Sequence, residues 1–132
     1  MKNTLLFSLF VLVVSFYALE RTSAQDWKNV NPKMNNVLAD TTWARAIEVT
    51  MEPGQKSEMH SHPAHFYYAL TAGKIKVHYQ DGSTEEFELT PGFAGLSGPE
   101  RPHMTENVGD QAVKFLIVEM KEHPYDAKKM KK

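Results

Sequence analysis

The sequence contains no cysteine among its 132 residues. This absence excludes a disulfide framework, a reactive thiolate and any zinc site built from cysteines. A bound metal ion must therefore be held by histidine, aspartate or glutamate side chains. The stability of the fold must come from a hydrophobic core, without covalent cross-links.

A large charge of one sign is also lacking. The chain has 15 basic and 16 acidic residues, which gives a formal net charge of −1. Nucleic-acid-binding domains usually carry a strong basic excess, because they neutralise phosphates. We therefore expect no nucleic acid among the partners of this protein.

No apolar run in the sequence reaches the length of about 20 residues that spans a bilayer. The longest run, residues 5–19, follows Lys2 and precedes small residues at Thr22 and Ala24. A basic start, an apolar segment and small residues in this order are typical of a secretory signal peptide. We predict that residues 1–24 are cleaved. The mature protein would then be periplasmic or extracellular, without stable membrane anchoring.

Convincing helical patterns are absent too, and short β-type segments take their place. Segments rich in β-branched and aromatic residues alternate with glycine and proline turns, at 43–51, 65–72, 74–80, 83–90 and 112–120. This pattern of short segments and turns predicts an all-β sandwich or barrel. We interpret residues 25–42 as an N-terminal arm, 43–121 as the β-barrel and 122–132 as a basic C-terminal tail.

One hairpin can be predicted in detail. A two-residue turn after residue 80 would mix the polar and apolar faces of its two strands. A three-residue loop at 80–82 instead places Ile75 opposite Phe87 and Lys76 opposite Glu86. We expect the second register, because only that one keeps both faces consistent.

The six histidines of the chain differ in their expected environments. His60 and His62 are two residues apart, so on a strand both imidazoles point the same way. This pair alone fits either a metal site or two solvated side chains. His78 falls on the charged outer face of the predicted hairpin, so we do not expect it to bind a metal.

Two short motifs follow each other in the sequence. Gly54, His60, His62 and Gly73 belong to the first, and Gly92, His103 and Asn107 to the second. At these positions the chain resembles the small single-domain cupins, and the resemblance covers about residues 43–121. It implies an antiparallel β-barrel, or jelly roll, with a metal held by His60, His62 and His103.

The sequence departs from the cupin pattern at the position of one expected ligand. Phe66 stands where the first motif has its glutamate, so the usual carboxylate ligand is missing. In the second motif Gly98 and Glu100 stand at the proline and glycine positions. Glu100 and Glu106 are candidate substitutes for the lost carboxylate. The remaining set is three neutral imidazoles, which leave two or three metal positions open.

Strand alternation makes a prediction for the residues after Pro63. If position 66 faces inward, Phe66 and Tyr68 line the cavity, where the Tyr68 phenol is available to a substrate, and His65 faces away. Proline interrupts regular alternation, however. The alternative that His65 joins the site as a fourth ligand or proton shuttle therefore stays open.

The resemblance implies a function as well as a fold. We expect an exported cupin that binds one divalent metal ion and acts on or binds a small molecule. Similarity to three-histidine dioxygenases favours Fe(II) and an oxidoreductase, while Zn, Ni, Mn and Cu also suit imidazole ligands. The alternatives are a non-catalytic binding or sensing module and a metal-dependent isomerase or lyase. A homodimer is expected, because cupins often cover their exposed strands by pairing.

Overall fold

The computed structural model describes residues 25–129, so the predicted signal peptide at 1–24 and the final three residues lie outside the described part. This part of the chain forms ten strands and one helix of four residues, and it contains no helix long and apolar enough to cross a membrane. The helix α1 is Trp27–Val30. The strands are β1 (Gln25–Asp26), β2 (Asn35–Asp40), β3 (Ala44–Met51), β4 (His60–His62), β5 (His65–Ala69), β6 (Gly73–Tyr79), β7 (Thr84–Leu89), β8 (Ala94–Ser97), β9 (Glu100–Asn107) and β10 (Val113–Met120).

The strands form two five-stranded sheets. The first has the order β1-β4-β9-β6-β7 and the second the order β2-β3-β10-β5-β8. In the described residues, every strand pair is antiparallel except β1 with β4. The expected all-β, antiparallel barrel is confirmed. Because β4 pairs with β9 and β5 with β10, residues far apart in the sequence become neighbours.

The β6–β7 hairpin has the predicted register. Ile75 lies opposite Phe87, and the loop of residues 80–82 joins the two strands. Gly82 has a φ of +85°, the left-handed conformation that a three-residue loop of this kind requires. The local sequence was therefore sufficient to determine the pairing of these strands.

The core lies between the two sheets and is built by alternation along the strands. In β3, Arg45, Ile47, Val49 and Met51 are buried, while the intervening residues are only partly so. This period of two is expected for a strand that has one face toward the interior. The buried hydrophobic cluster comprises Trp27, Met34, Ile47, Val49, Met51, Ala69, Leu89, Val113 and Ile117.

The segment expected to be an N-terminal arm is part of the barrel. β1 pairs in parallel with β4, and β2 pairs with β3. Trp27 and Met34 are 1% and 5% exposed and belong to the core cluster. Residues 25–42, expected to be an N-terminal arm, therefore contribute two strands and part of the core. The segment is polar overall, but the barrel buries its Trp27 and Met34 side chains.

The beginning of the C-terminal tail also contacts the barrel. Residues 122–129 follow β10 without regular secondary structure. The His123 carbonyl accepts a hydrogen bond of 2.9 Å from the N–H of Ala64, in the connection between β4 and β5. This contact ties the chain after β10 to the connection between the two sheets.

Candidate metal centre

Three buried histidines meet where β4 pairs with β9. His60 and His62 alternate on β4, so both side chains point to the same face, and His60 lies opposite His103 of β9. One nitrogen from each imidazole lies within 4.8 Å of the other two, and the three residues are 1–3% exposed. The donor set fits a divalent ion, because imidazole nitrogens bind such ions at about 2.0–2.1 Å.

Backbone carbonyl groups fix the tautomers of two of these histidines. His60 Nδ1 lies 2.8 Å from the Glu58 carbonyl oxygen, and His103 Nδ1 lies 2.8 Å from that of Arg101. A carbonyl oxygen only accepts hydrogen bonds, so each Nδ1 carries the proton. The Nε2 atoms of both rings are then left with a free lone pair for a metal ion.

A buried chain of charged groups fixes the third histidine. His62 Nδ1 donates to Glu119 Oε1 at 2.7 Å, and Glu119 is fully buried. The other oxygen of Glu119 accepts a hydrogen bond of 2.7 Å from Arg45 Nε. Arg45 in turn donates twice to the carboxylate of Asp26, at 3.0 and 2.6 Å. Outer partners of this kind orient a metal ligand and increase its basicity.

Sequence reasoning missed Glu119, although a signal was present. Glu119 lies on the same face of β10 as Val113 and Ile117, which are both buried. A charged residue at an inward position of an otherwise apolar strand must find a partner, because an unpaired buried charge is costly. The partners are His62 and Arg45, which lie far away in the sequence.

Burial also determines the protonation of the site. It lowers the pKa of His60 well below the ordinary value, and the neighbouring His62 and His103 act in the same direction. Burial likewise lowers the pKa of His62, helped by His65 and His103. For Glu119 burial raises the pKa, although Arg45 opposes this shift. His60 and His62 are therefore neutral near pH 7, the form that binds metals.

The metal-free protein is expected to lose stability as the pH falls below about 6.5, the pKa of an exposed histidine. Below that pH the unfolded chain takes up protons at His60 and His62, whereas the folded state does not because their pKa values are lowered. Linkage then predicts a loss of roughly 2–3 kcal/mol between pH 7 and 5.5. Urea unfolding in the presence of a chelator measures it. His78→Ala should preserve this slope, and a flat profile would contradict the assigned protonation.

His65 points into the site, contrary to the expected alternation. It is 5% exposed, and its Nδ1 lies 2.9 Å from the Pro63 carbonyl oxygen, so its Nε2 is free. That Nε2 lies 3.7 Å from Glu100 Oε2, which is also 3.9 Å from His103 Nε2. His65 does not belong to the close cluster of three ligand nitrogens among the described residues. It lies beside that cluster, on the wall of the adjoining cavity.

Phe66 and Tyr68 lie on the opposite face of β5, so their prediction as cavity residues is wrong. Tyr67 lies opposite Ile117 of β10, and both line the cavity with His65. Tyr68 is 38% exposed. Residues 63–64 separate β4 from β5, and the alternation does not continue across this break. The face that β5 presents is set by its pairing with β10.

Two other residues considered from the sequence lie outside the site. His78 Nε2 is 2.6 Å from Glu106 Oε2, and Glu106 also pairs with Lys56 at 3.1 Å. All three are partly or largely exposed. The structure thus places His78 on the outer face, as expected, and Glu106 does not replace the missing metal carboxylate.

A cavity of about 260 Å³ adjoins the histidine cluster. This volume is just below the range of about 300–1,000 Å³ that holds drug-sized ligands. Tyr79 lies in its wall, and burial together with Glu100 and Glu85 raises the pKa of Tyr79 to about 12, so the phenol is a hydrogen-bond donor. Much of the wall is apolar or aromatic, from Tyr67, Ile75, Phe87, Phe93, Phe115 and Ile117.

Comparison with solved structures supports the fold. A cupin domain from Bordetella pertussis matches with a TM-score of 0.60 and 21% identity, over 65% of this chain and 90% of that chain. The polyketide cyclase RemF from Streptomyces resistomycificus matches with a TM-score of 0.52 and 26% identity, over 69% of this chain and 66% of that chain.

Comparison of sequences identifies the family. Oxalate decarboxylase OxdC of Bacillus subtilis is 32% identical over 94 residues, which are 69% of this chain but only 24% of OxdC. The present chain thus spans about a quarter of that relative. The cupin domain profile matches residues 47–119, more than half of the chain. The chain therefore belongs to the cupin family.

Proposed function

We propose that this protein binds one divalent metal ion through His60, His62 and His103 and uses it for chemistry on a small molecule in the adjoining cavity. The observation that carries the proposal is the convergence of three ring nitrogens within 4.8 Å. Each ring has its Nδ1 engaged by a carbonyl or a carboxylate. In protein metal sites, a histidine ligand is usually fixed in this way by a hydrogen bond from the ring nitrogen that does not bind the metal.

The reaction class that we propose is metal-dependent oxidation, with Fe(II) as the favoured ion. His60, His62 and His103 would hold the ion, which would supply Lewis-acid and redox chemistry to a chelating substrate and a co-reactant such as O2. The cavity wall contributes apolar surface that holds the substrate and limits the access of water. His65 lies at the edge of the cluster, on the cavity wall, where it can accept or return a proton.

A metal-dependent isomerase or lyase is the second candidate, and one observation favours it. His65 Nε2 and Glu100 Oε2 are 3.7 Å apart inside the cavity, an arrangement suited to acid–base chemistry without O2. RemF, one of the similar structures, is a polyketide cyclase. Tyr68 does not serve as the base in this proposal, because it lies on the outer face of β5.

The substrate that we propose is neutral and largely apolar. Although OxdC is an oxalate decarboxylase, the cavity here is lined by Glu85 and Glu100 and, within residues 25–129, by no lysine or arginine. Apart from the proposed metal ion, a small dianion would meet two carboxylates and no lysine or arginine side chain to pair with. The charge of the wall therefore disfavours oxalate and favours a neutral chelating molecule.

We also propose that the protein is exported and forms a homodimer. Export rests on the sequence pattern of residues 1–24 alone. The dimer is supported by apolar side chains on the outer face of the second sheet, where Phe66 neighbours Val118 and Tyr68 neighbours Leu116. These four side chains are partly or largely exposed, and a second copy of the chain would cover them.

Replacing both His60 and His62 by alanine is expected to abolish metal binding. Elemental analysis of protein purified without a histidine tag measures this directly. The matched control is His78→Ala, which removes a histidine from the outer face and should leave the metal content unchanged. A wild-type protein without metal, even after anaerobic reconstitution, would contradict the proposal and favour a module that binds only an organic ligand.

Oxygen consumption then separates the reaction classes. If the iron-loaded protein consumes O2 with a neutral diketone or catechol, metal-dependent oxidation is supported. Loss of the substrate without O2 uptake supports the isomerase or lyase. If neither occurs although the ligand binds, the protein is a binding module.

A further inference from the structure

We propose that Glu100 supplies the carboxylate ligand that the first cupin motif of this chain has lost. The inference rests on the proposed metal function and extends it, because it makes the site a set of three histidines and one glutamate. The carboxylate would come from β9, in the second motif, instead of from β5. The positions of Glu100 and Phe66, the geometry of β9 and the charge of the cavity all support this assignment.

A β-bulge aims Glu100 at the histidines. His60 lies opposite His103 and His62 opposite Glu100, so two steps along β4 match three steps along β9. On a regular strand, residues 100 and 103 would face opposite sides. The extra residue in β9 brings both side chains to the same side, as bulges next to functional sites commonly do. Pro102, which has no N–H to donate, lies inside this bulge.

Glu100 lies close to one of the three proposed ligands. Its Oε2 is 3.9 Å from His103 Nε2, although the group whose ligand atoms all lie within 4.8 Å of one another contains the three histidines without Glu100. The same oxygen lies 3.7 Å from His65 Nε2. The side chain of Glu100 is 22% exposed and lines the cavity. A glutamate at a cavity wall can turn toward an ion between the rings, and His65 can then hold its other oxygen.

The charge around Glu100 points to a cation as its partner. Within residues 25–129, the ion pairs of Glu100 are with His65 and His103 only, and no lysine or arginine pairs with it. A carboxylate that is three-quarters buried without a cationic partner is costly. A divalent ion among the imidazoles provides the missing positive charge.

The sequence is consistent with a relocated ligand. Phe66 occupies the glutamate position of the first motif, and it lies on the outer face of β5. Glu100 occupies a glycine position of the second motif and faces the cavity. The first motif thus supplies no carboxylate to the site, whereas the second motif has one that faces the cavity.

The test uses Co(II) as a spectroscopic probe of the full mature chain. Wild type, Glu100→Gln, Glu85→Gln and His65→Gln are titrated with Co(II), and both the visible absorption and the affinity in competition with a chelator are recorded. Glu85→Gln is the matched control, because Glu85 lines the same cavity but pairs with Tyr79. Thermal unfolding of the metal-free proteins verifies that each variant is folded.

We expect Glu100→Gln to weaken Co(II) binding by roughly tenfold or more and to change the absorption spectrum. Glu85→Gln should leave both unchanged. Weaker binding by Glu100→Gln with a wild-type spectrum would mean a purely electrostatic role and overturn the inference. A spectral change in His65→Gln but not in Glu100→Gln would also overturn it. If wild type binds no Co(II), the proposed metal function itself fails.

Discussion

Replacing Glu119 by alanine is expected to lower the free energy of unfolding by about 3–5 kcal/mol, the cost of breaking a buried ion pair. Glu119 is fully buried and accepts hydrogen bonds from both Arg45 and His62. Without it, the guanidinium of Arg45 stays buried, and Asp26 is its one remaining ionic partner within residues 25–129. His62 also loses the acceptor that fixes its ring, so metal affinity should fall by roughly 10–100-fold.

Glu86→Ala provides the matched control for Glu119→Ala. Glu86 pairs with Lys74 at 2.9 Å and with Lys76 at 3.0 Å, but it is 43% exposed. Exposed pairs contribute about 0–1 kcal/mol, so this variant should unfold almost like wild type. Urea unfolding in the presence of a chelator measures both variants. If both variants lost a similarly small free energy of unfolding, the buried hydrogen bonds of Glu119 would contribute no more to stability than a surface ion pair.

Replacing Trp27 by alanine is expected to destabilise the protein by about 3–5 kcal/mol, as is usual for a large aromatic residue in a core. Trp27 is 1% exposed, and its ring centre lies 3.9 Å from that of His60. The neighbouring Asp26 accepts hydrogen bonds from Arg45, which also pairs with Glu119, the partner of His62. Loss of Trp27 should therefore also weaken metal binding, because it releases the segment that covers the cluster.

Trp43→Ala tests whether burial is the cause of this effect. Trp43 is 63% exposed, and substitutions at such surface positions usually change stability by less than about 0.5 kcal/mol. Each variant keeps one of the two tryptophans of the chain, so fluorescence follows both unfolding transitions. Equal stability of the two variants would mean that residues 25–30 do not pack on the barrel in solution.

The features that could be predicted from the sequence depend on residues that lie close together in the chain. Strand segments followed from alternating residues and from glycine and proline turns. The hairpin register followed from the requirement that Ile75 and Phe87 share a face with a three-residue loop between the strands. The pair of His60 and His62 followed from the period of two, and His103 from the spacing of the second motif.

Pairing between distant strands decided the remaining parts of the site. The face that β5 presents follows from its register with β10, so Tyr67 lines the cavity and Tyr68 does not. The bulge between β4 and β9 aims Glu100 at His103, although their spacing in the sequence predicts opposite faces.

The sequence by itself determined that this is an all-β chain, and its resemblance to the cupins indicated three histidines for one ion. Only the tertiary structure decided what surrounds them. Trp27 contacts His60 and Glu119 contacts His62, although the two residues lie near opposite ends of the domain sequence. The residues next to them in the sequence do not predict these contacts. The physical reason is that alternation fixes the face of a residue within one strand. Which residues then share that buried space depends on strand order, register and bulges.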